Sequence, residues 1–122
     1  MGAGELTGGD SRTIRQHLRY LADLGEMDET MARRYLFKLF PDQDETVLLD
    51  KRLDTMSQSE LSALSIASIL ASRNQLLVLD EPFAKLNAAQ KETLASILNN
   101  IQERKALILS LGDQNQLSAL DV

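Results

Sequence analysis

Asp80 and Glu81 are the residues of this chain best placed to do chemistry. Two adjacent carboxylates repel one another unless a cation, a phosphate-bound metal or solvent compensates them. They follow Leu76-Leu77-Val78-Leu79 and precede Pro82. Four apolar residues bounded by a polar run and a proline are too few for a helix and read as a fully buried parallel strand. In open α/β sheets ligands sit beyond the carboxyl ends of the strands, which is where both carboxylates fall. A magnesium-nucleotide site is the leading expectation. The alternative is that Asp80 and Glu81 only cap the turn that follows.

A second candidate is Ser57-Gln58-Ser59-Glu60, which opens an apolar segment. Ser-x-x-Glu is a capping box, in which the two side chains satisfy backbone N–H groups that the first helical turn leaves unpaired. A helix amino terminus also attracts anions. The two roles are compatible, and the spacing alone does not choose between them. His17, the only histidine, reads as a surface or satisfied helix residue rather than a ligand or base.

These residues need elements to hold them. Residues 1–10, with four glycines and no apolar pattern, read as a flexible leader; no Gly-Lys-Ser/Thr follows the glycines. Ser11 or Thr13 can cap a helix with Ile14, Leu18, Leu21 and Leu24 at helical spacing and Gly25 as its stop. Asp28 begins a second helix carrying Met31, Tyr35, Leu36 and Leu39, and Pro41 ends it. Arg12, Arg15, Arg19, Arg33 and Arg34 on these helices read as a solvated face. Val47-Leu48-Leu49 fits a helical turn or a short extended piece equally well. The helix after Ser57 has Leu61, Leu64, Ile66, Ala67, Ile69 and Leu70 spread almost all round, which predicts a central, buried position. Asn87 caps a helix to about Glu103 with Leu94, Ile97, Leu98 and Ile101 inward, and Ala106 to Ser110 reads as a second buried strand. Strand, helix and strand make a right-handed βαβ unit with parallel strands. Asp113 can cap a short last helix bearing Leu117 and Leu120.

Leu76 to Pro82 resembles the Walker B segment of the ATP-binding-cassette (ABC) ATPases. Ala84-Lys85-Leu86-Asn87 resembles their D-loop, and Met56-Ser57-Gln58-Ser59-Glu60 stands where their signature loop opens its helix. The resemblance covers roughly residues 11 to 122. It implies a helix-rich α/β fold: a leader at 1–10, a helical subdomain at 11–73, and at 74–122 a βαβ fragment of a P-loop NTPase core. It further implies that Asp80 holds Mg²⁺ through its water shell and that Glu81 orients or deprotonates the water attacking ATP. Ser57, Ser59, Glu60 and Asn87 would then face nucleotide. A metal-facing carboxylate beside a water-facing one is a sufficient pair for phosphoryl transfer, which needs positioning and charge neutralisation above all.

The sequence also departs from that family. No Gly-x-x-x-x-Gly-Lys-Ser/Thr occurs in the 122 residues. The two signature glycines are Gln58 and Ser59, the D-loop aspartate is Asn87, and Gly112 stands where the switch histidine would be. Ahead of Ser11 there is no Q-loop glutamine. By the resemblance, the Walker A strand would pair beside Ala106–Ser110, so that edge is expected to be open. Two functions stay in view. One is a transport-associated nucleotide-binding subunit contributing Walker B and signature parts to Mg-ATP hydrolysis, which the likeness of Arg12 to Gly25 to the helix after the exporter Q-loop favours. The other is a non-catalytic interaction or regulatory module derived from such an ATPase.

Composition narrows the setting. The 122-residue, 13.6 kDa chain is the size of one ordinary domain and has no cysteine, hence no disulfide framework and no cysteine metal site. A net charge of -5 without a basic run argues against an electrostatic grip on nucleic acid or anionic lipid. The apolar runs fall well short of the ~20 residues that span a bilayer. The expected setting is the cytoplasm, at the membrane only through a permease subunit. The expected partners are a second copy or a related ATPase subunit.

Overall fold

A computed structural model describes residues 11–110. The expected leader at 1–10, the Asp113 helix and the Gly112 position lie outside the described residues. The chain divides into two compact units, Met1–Arg73 and Asn74–Val122.

The described part of the first unit is helical. Helix α1 (Ile14–Asp23) starts at Thr13, whose side chain accepts from the Gln16 N–H while the Gln16 side chain accepts from the Thr13 N–H. It ends where Gly25 takes φ 77°, with the Gly25 N–H on the Ala22 carbonyl and the Glu26 N–H on the Leu21 carbonyl. That paired bonding is a Schellman stop, which glycine adopts without a Cβ penalty. Ile14, Leu18 and Leu21 are buried as the periodicity predicts, but Leu24 is 55% exposed. As the C-cap residue, Leu24 falls past the last turn and off the inward stripe. His17 takes a place on that stripe and is only 4% exposed, so it is an interior residue rather than a surface one.

Asp28 caps α2 (Glu29–Leu39) by accepting from the Met31 N–H. Residues 45–49, undecided from sequence, form the short helix α3 (Glu45–Leu49), capped by Asp44 and burying Leu48 and Leu49. A 3₁₀ turn, Leu53–Thr55, leads into α4 (Gln58–Leu70). In α4 Leu61, Leu64, Ile66, Ala67 and Leu70 are buried together with Ser65 and Ser68, as the all-round apolar pattern predicts. Each large apolar side chain buried there contributes about 1.5–3 kcal/mol. The Ser68 hydroxyl donates to the Leu64 carbonyl one turn back, so its burial leaves no unpaired donor. Helix α2 packs on both α1 and α4. Two backbone stitches close the unit: Thr13 bridges Arg52, and Met27 bridges Ser72, both antiparallel.

In the second unit β1 (Leu76–Asp80) and β2 (Ala106–Ser110) pair in parallel, joined by α5 (Ala88–Ile101). The register runs from Leu76 opposite Ala106 to Asp80 opposite Ser110. Helix α5 buries Leu94, Ala95, Ile97, Leu98 and Ile101. Contrary to expectation, neither strand is fully buried. Leu77 and Leu79 are enclosed, whereas Leu76, Val78 and Ile108 are 48%, 57% and 54% exposed. An uninterrupted apolar run signals a parallel strand covered on both faces. Here the alternation of burial shows cover on one face only.

Candidate functional site

Asp80 is the last residue of β1 and Glu81 the first beyond it, so both expected carboxylates stand at the carboxyl end of a parallel strand. Both are exposed. Solvent therefore supplies the compensation that their mutual repulsion requires. Ser110 lies opposite Asp80 in register, and paired residues of a sheet share a face. The Ser110 carbonyl accepts from the Glu81 N–H at 2.7 Å, which ties the catalytic candidate to the end of the neighbouring strand.

Glu81 has φ 45°, the only positive φ at a non-glycine position among the described residues. Left-handed backbone places Cβ against the carbonyl oxygen and disfavours every residue but glycine. The turn is held from the far side: Pro82, Phe83 and Leu86 are buried, with Phe83 at 1% exposure, and the Ala84 N–H donates to the Glu81 carbonyl at 3.1 Å. A buried ring anchors the loop while the carboxylates remain in water. Strain at an exposed, over-determined position is characteristic of functional turns.

Asn87 closes the same loop as the N-cap of α5. Its side chain accepts from the Gln90 N–H at 2.8 Å, and the Gln90 side chain accepts from the Asn87 N–H at 3.2 Å. The candidate for nucleotide contact expected from the sequence is thus a helix cap, and Gln90 is buried at 7% exposure.

The other candidates belong to the first unit. Ser57 caps α4: its hydroxyl oxygen accepts from the Glu60 N–H at 3.2 Å, and Glu60 accepts from the Ser57 N–H at 2.9 Å. Glu60 also receives Lys51 Nζ at 2.6 Å. Partial burial works against its charged form, yet the bonds from Lys51 and Ser57 prevail and hold the carboxyl below its ordinary range. Ser59 is half-buried in the first turn of α4.

The residues at Asp80 fit a magnesium ion of one kind only. Among the described residues no group of three or more acidic, histidine or cysteine side chains could enclose a metal. Magnesium keeps several waters and binds through one or two carboxylates plus substrate phosphates, so an exposed strand-end carboxylate suits it without a protein cage. Sequence reasoning missed the left-handed Glu81 and its bond to Ser110. Glutamate before proline favours extended backbone and gives no signal for a left-handed φ, and strand pairing is set by register. The Asn87-x-x-Gln90 box was legible in principle, as a capping box with asparagine in the leading place.

No family model matches the chain. It is 31% identical over 102 residues to the energy-coupling factor transporter ATP-binding protein EcfA2 of Staphylococcus aureus, a match covering 76% of this chain and 34% of the relative. The chain thus spans about a third of the length of the curated relatives it matches. In fold it is similar to the solved ATP-binding subunit of an ABC transporter, at TM-score 0.73 and 20% identity, covering 97% of this chain and 49% of that one. It is similarly close to the dimeric structure of MJ0796, a bacterial ABC transporter cassette, at TM-score 0.71 and 15% identity, covering 90% and 50%. The fold is that of ABC-type P-loop NTPase domains.

Proposed function

We propose, from a sequence and fold of the ABC ATPase type matching the carboxyl-terminal half of that cassette, that this chain carries the Walker B and signature parts of a transport-associated nucleotide-binding subunit. One observation carries the reading: Asp80 and Glu81 stand exposed at the carboxyl end of a parallel strand, with Glu81 held in a strained turn by the Ser110 carbonyl. Asp80 would hold magnesium through the ion's water shell, and the ion would supply charge neutralisation to nucleotide phosphates. Glu81 takes the position of the carboxylate that orients or deprotonates the attacking water, and the anchored Phe83 turn fixes its backbone. Ser57, Ser59 and Glu60 at the head of α4, and Asn87 at the head of α5, are the further nucleotide-facing positions. The partner is a second copy or a related ATPase subunit, and a membrane permease anchors the assembly from the cytoplasmic side. No described helix is long and apolar enough to cross a membrane.

A second reading has its own observation. The capping boxes at Ser57 and Asn87 are closed, and Gln58 and Ser59 stand in place of the signature glycines. These features favour a cassette-derived interaction module without hydrolysis. Manganese-ATP separates the two. The first reading expects paramagnetic broadening of the Asp80, Glu81 and Ser110 amide signals, lost in Asp80→Asn. No broadening at millimolar Mn-ATP favours the second. Phosphate release by the chain alone should stay at the buffer level, because no Gly-x-x-x-x-Gly-Lys-Ser/Thr occurs in the 122 residues; turnover abolished by Glu81→Gln would refute that expectation.

A further inference from the structure

Helices α1, α2 and α3 of the first unit border an open depression of about 610 Å³, lined by Arg19, Arg33, Arg34, Glu29, Glu45 and Phe37 among others. Its size falls in the ~300–1,000 Å³ range of ligand clefts. Three guanidinium groups against two carboxylates leave one positive charge, on a chain whose net charge is -5.

The charges are not equally committed. Glu29 accepts from Arg19 Nε at 2.8 Å and from Arg33 Nη2 at 2.5 Å, so one carboxylate serves two arginines. The Arg33 Nε is enclosed without a hydrogen-bond partner, so it faces the protein and not the depression, and Arg33 meets the depression already paired with Glu29. Arg34 is exposed and has no carboxylate partner among the described residues; its bond is a 3.9 Å contact to the Met31 sulfur. Phe37, one turn from Arg33 and Arg34, is half-buried and adds an apolar wall.

We infer that this depression docks an acidic segment of a partner protein, one carboxylate on Arg34 beside an apolar side chain on Phe37. A single net positive charge matches a single carboxylate. Glu29 and Glu45 in the wall repel any anion, a phosphate dianion about twice as strongly as a single carboxylate, and the aromatic wall gives an inorganic anion nothing to bury. The guanidinium fork pairs with a carboxylate in two parallel bonds, which fixes its orientation. The site lies wholly within the first unit and is independent of the Asp80 reading.

Titrating the whole ¹⁵N-labelled chain with the capped peptide Gly-Leu-Glu-Leu-Gly tests this, against the same peptide with glutamine for glutamate and against inorganic phosphate. The glutamate peptide should shift the Thr30, Arg34 and Phe37 amide signals, and the glutamine peptide should not. Removing one charged bond by Arg34→Gln should weaken binding about tenfold. Arg34→Lys should restore part of it, Phe37→Ala should weaken it without changing its salt dependence, and Arg104→Gln, in the other unit, should leave it unchanged. Equal binding of the two peptides, no shift at millimolar peptide, shifts confined elsewhere, or displacement by phosphate at equal concentration would each overturn the inference.

Discussion

Glu81 joins a side chain left in water to a backbone that disfavours it, and stability and function therefore pull apart at this residue. Left-handed φ costs a non-glycine residue roughly 1–2 kcal/mol, of which glycine recovers part before its own chain entropy is counted. Glu81→Gly should leave stability unchanged or raise it by up to about 1 kcal/mol in a denaturant melt, while Glu81→Gln, which keeps the strain, should not stabilise. A loss above about 1 kcal/mol in Glu81→Gly would show that the side chain itself supports the fold. Glu60 is the opposite case, a carboxyl tied into structure by Lys51 and by the Ser57 N–H. Its folded pKa lies below the ordinary value of 4.5, so its contribution is fully present above that value and is lost as pH falls through the folded one. Acid titration of the melt should show stability declining below about pH 4.5, with a shallower decline in Glu60→Gln. An identical slope in the variant would remove Glu60 from the account.

Helix starts were the most legible elements, because each is written in a few contiguous residues. Thr13, Asp28, Ser57 and Asn87 each cap the helix that their sequence announces. The parallel pairing of the two strands was legible too, since an intervening amphipathic helix leaves little other topology. What was not legible depends on neighbours far along the chain. Leu76 and Val78 read as core because apolar type reports a preference, whereas exposure depends on what covers the face. The Glu81 turn depends on a carbonyl 29 residues onward, at Ser110, which no local pattern encodes. The same locality makes the caps testable. Ser57→Ala should cost about 1 kcal/mol and Asn87→Ala a similar amount, since each removes the acceptor for one N–H of the first turn. A melt unmoved by Ser57→Ala would shift weight from capping towards phosphate contact for that loop.

Across the whole molecule the unresolved demand is the sheet. Among the described residues it has two strands, β1 and β2, so each strand has a free edge. Parallel sheets occur almost only with both faces covered and seldom at this size. Here one face presents Leu76, Val78 and Ile108 to water, with Val78 and Ile108 side by side in register. Exposed apolar surface beside unpaired strand edges recruits a partner, and a symmetric second copy is the simplest one, because each sheet supplies what the other lacks. The chain should therefore associate at working concentration or be only marginally stable as a monomer. Light scattering across a dilution series should show mass rising with concentration. Ile108→Lys, which puts a charge on the open face, should hold the mass near that of one chain. A compact particle of 13.6 kDa that does not grow on concentrating, and that melts cooperatively, would rule the association out.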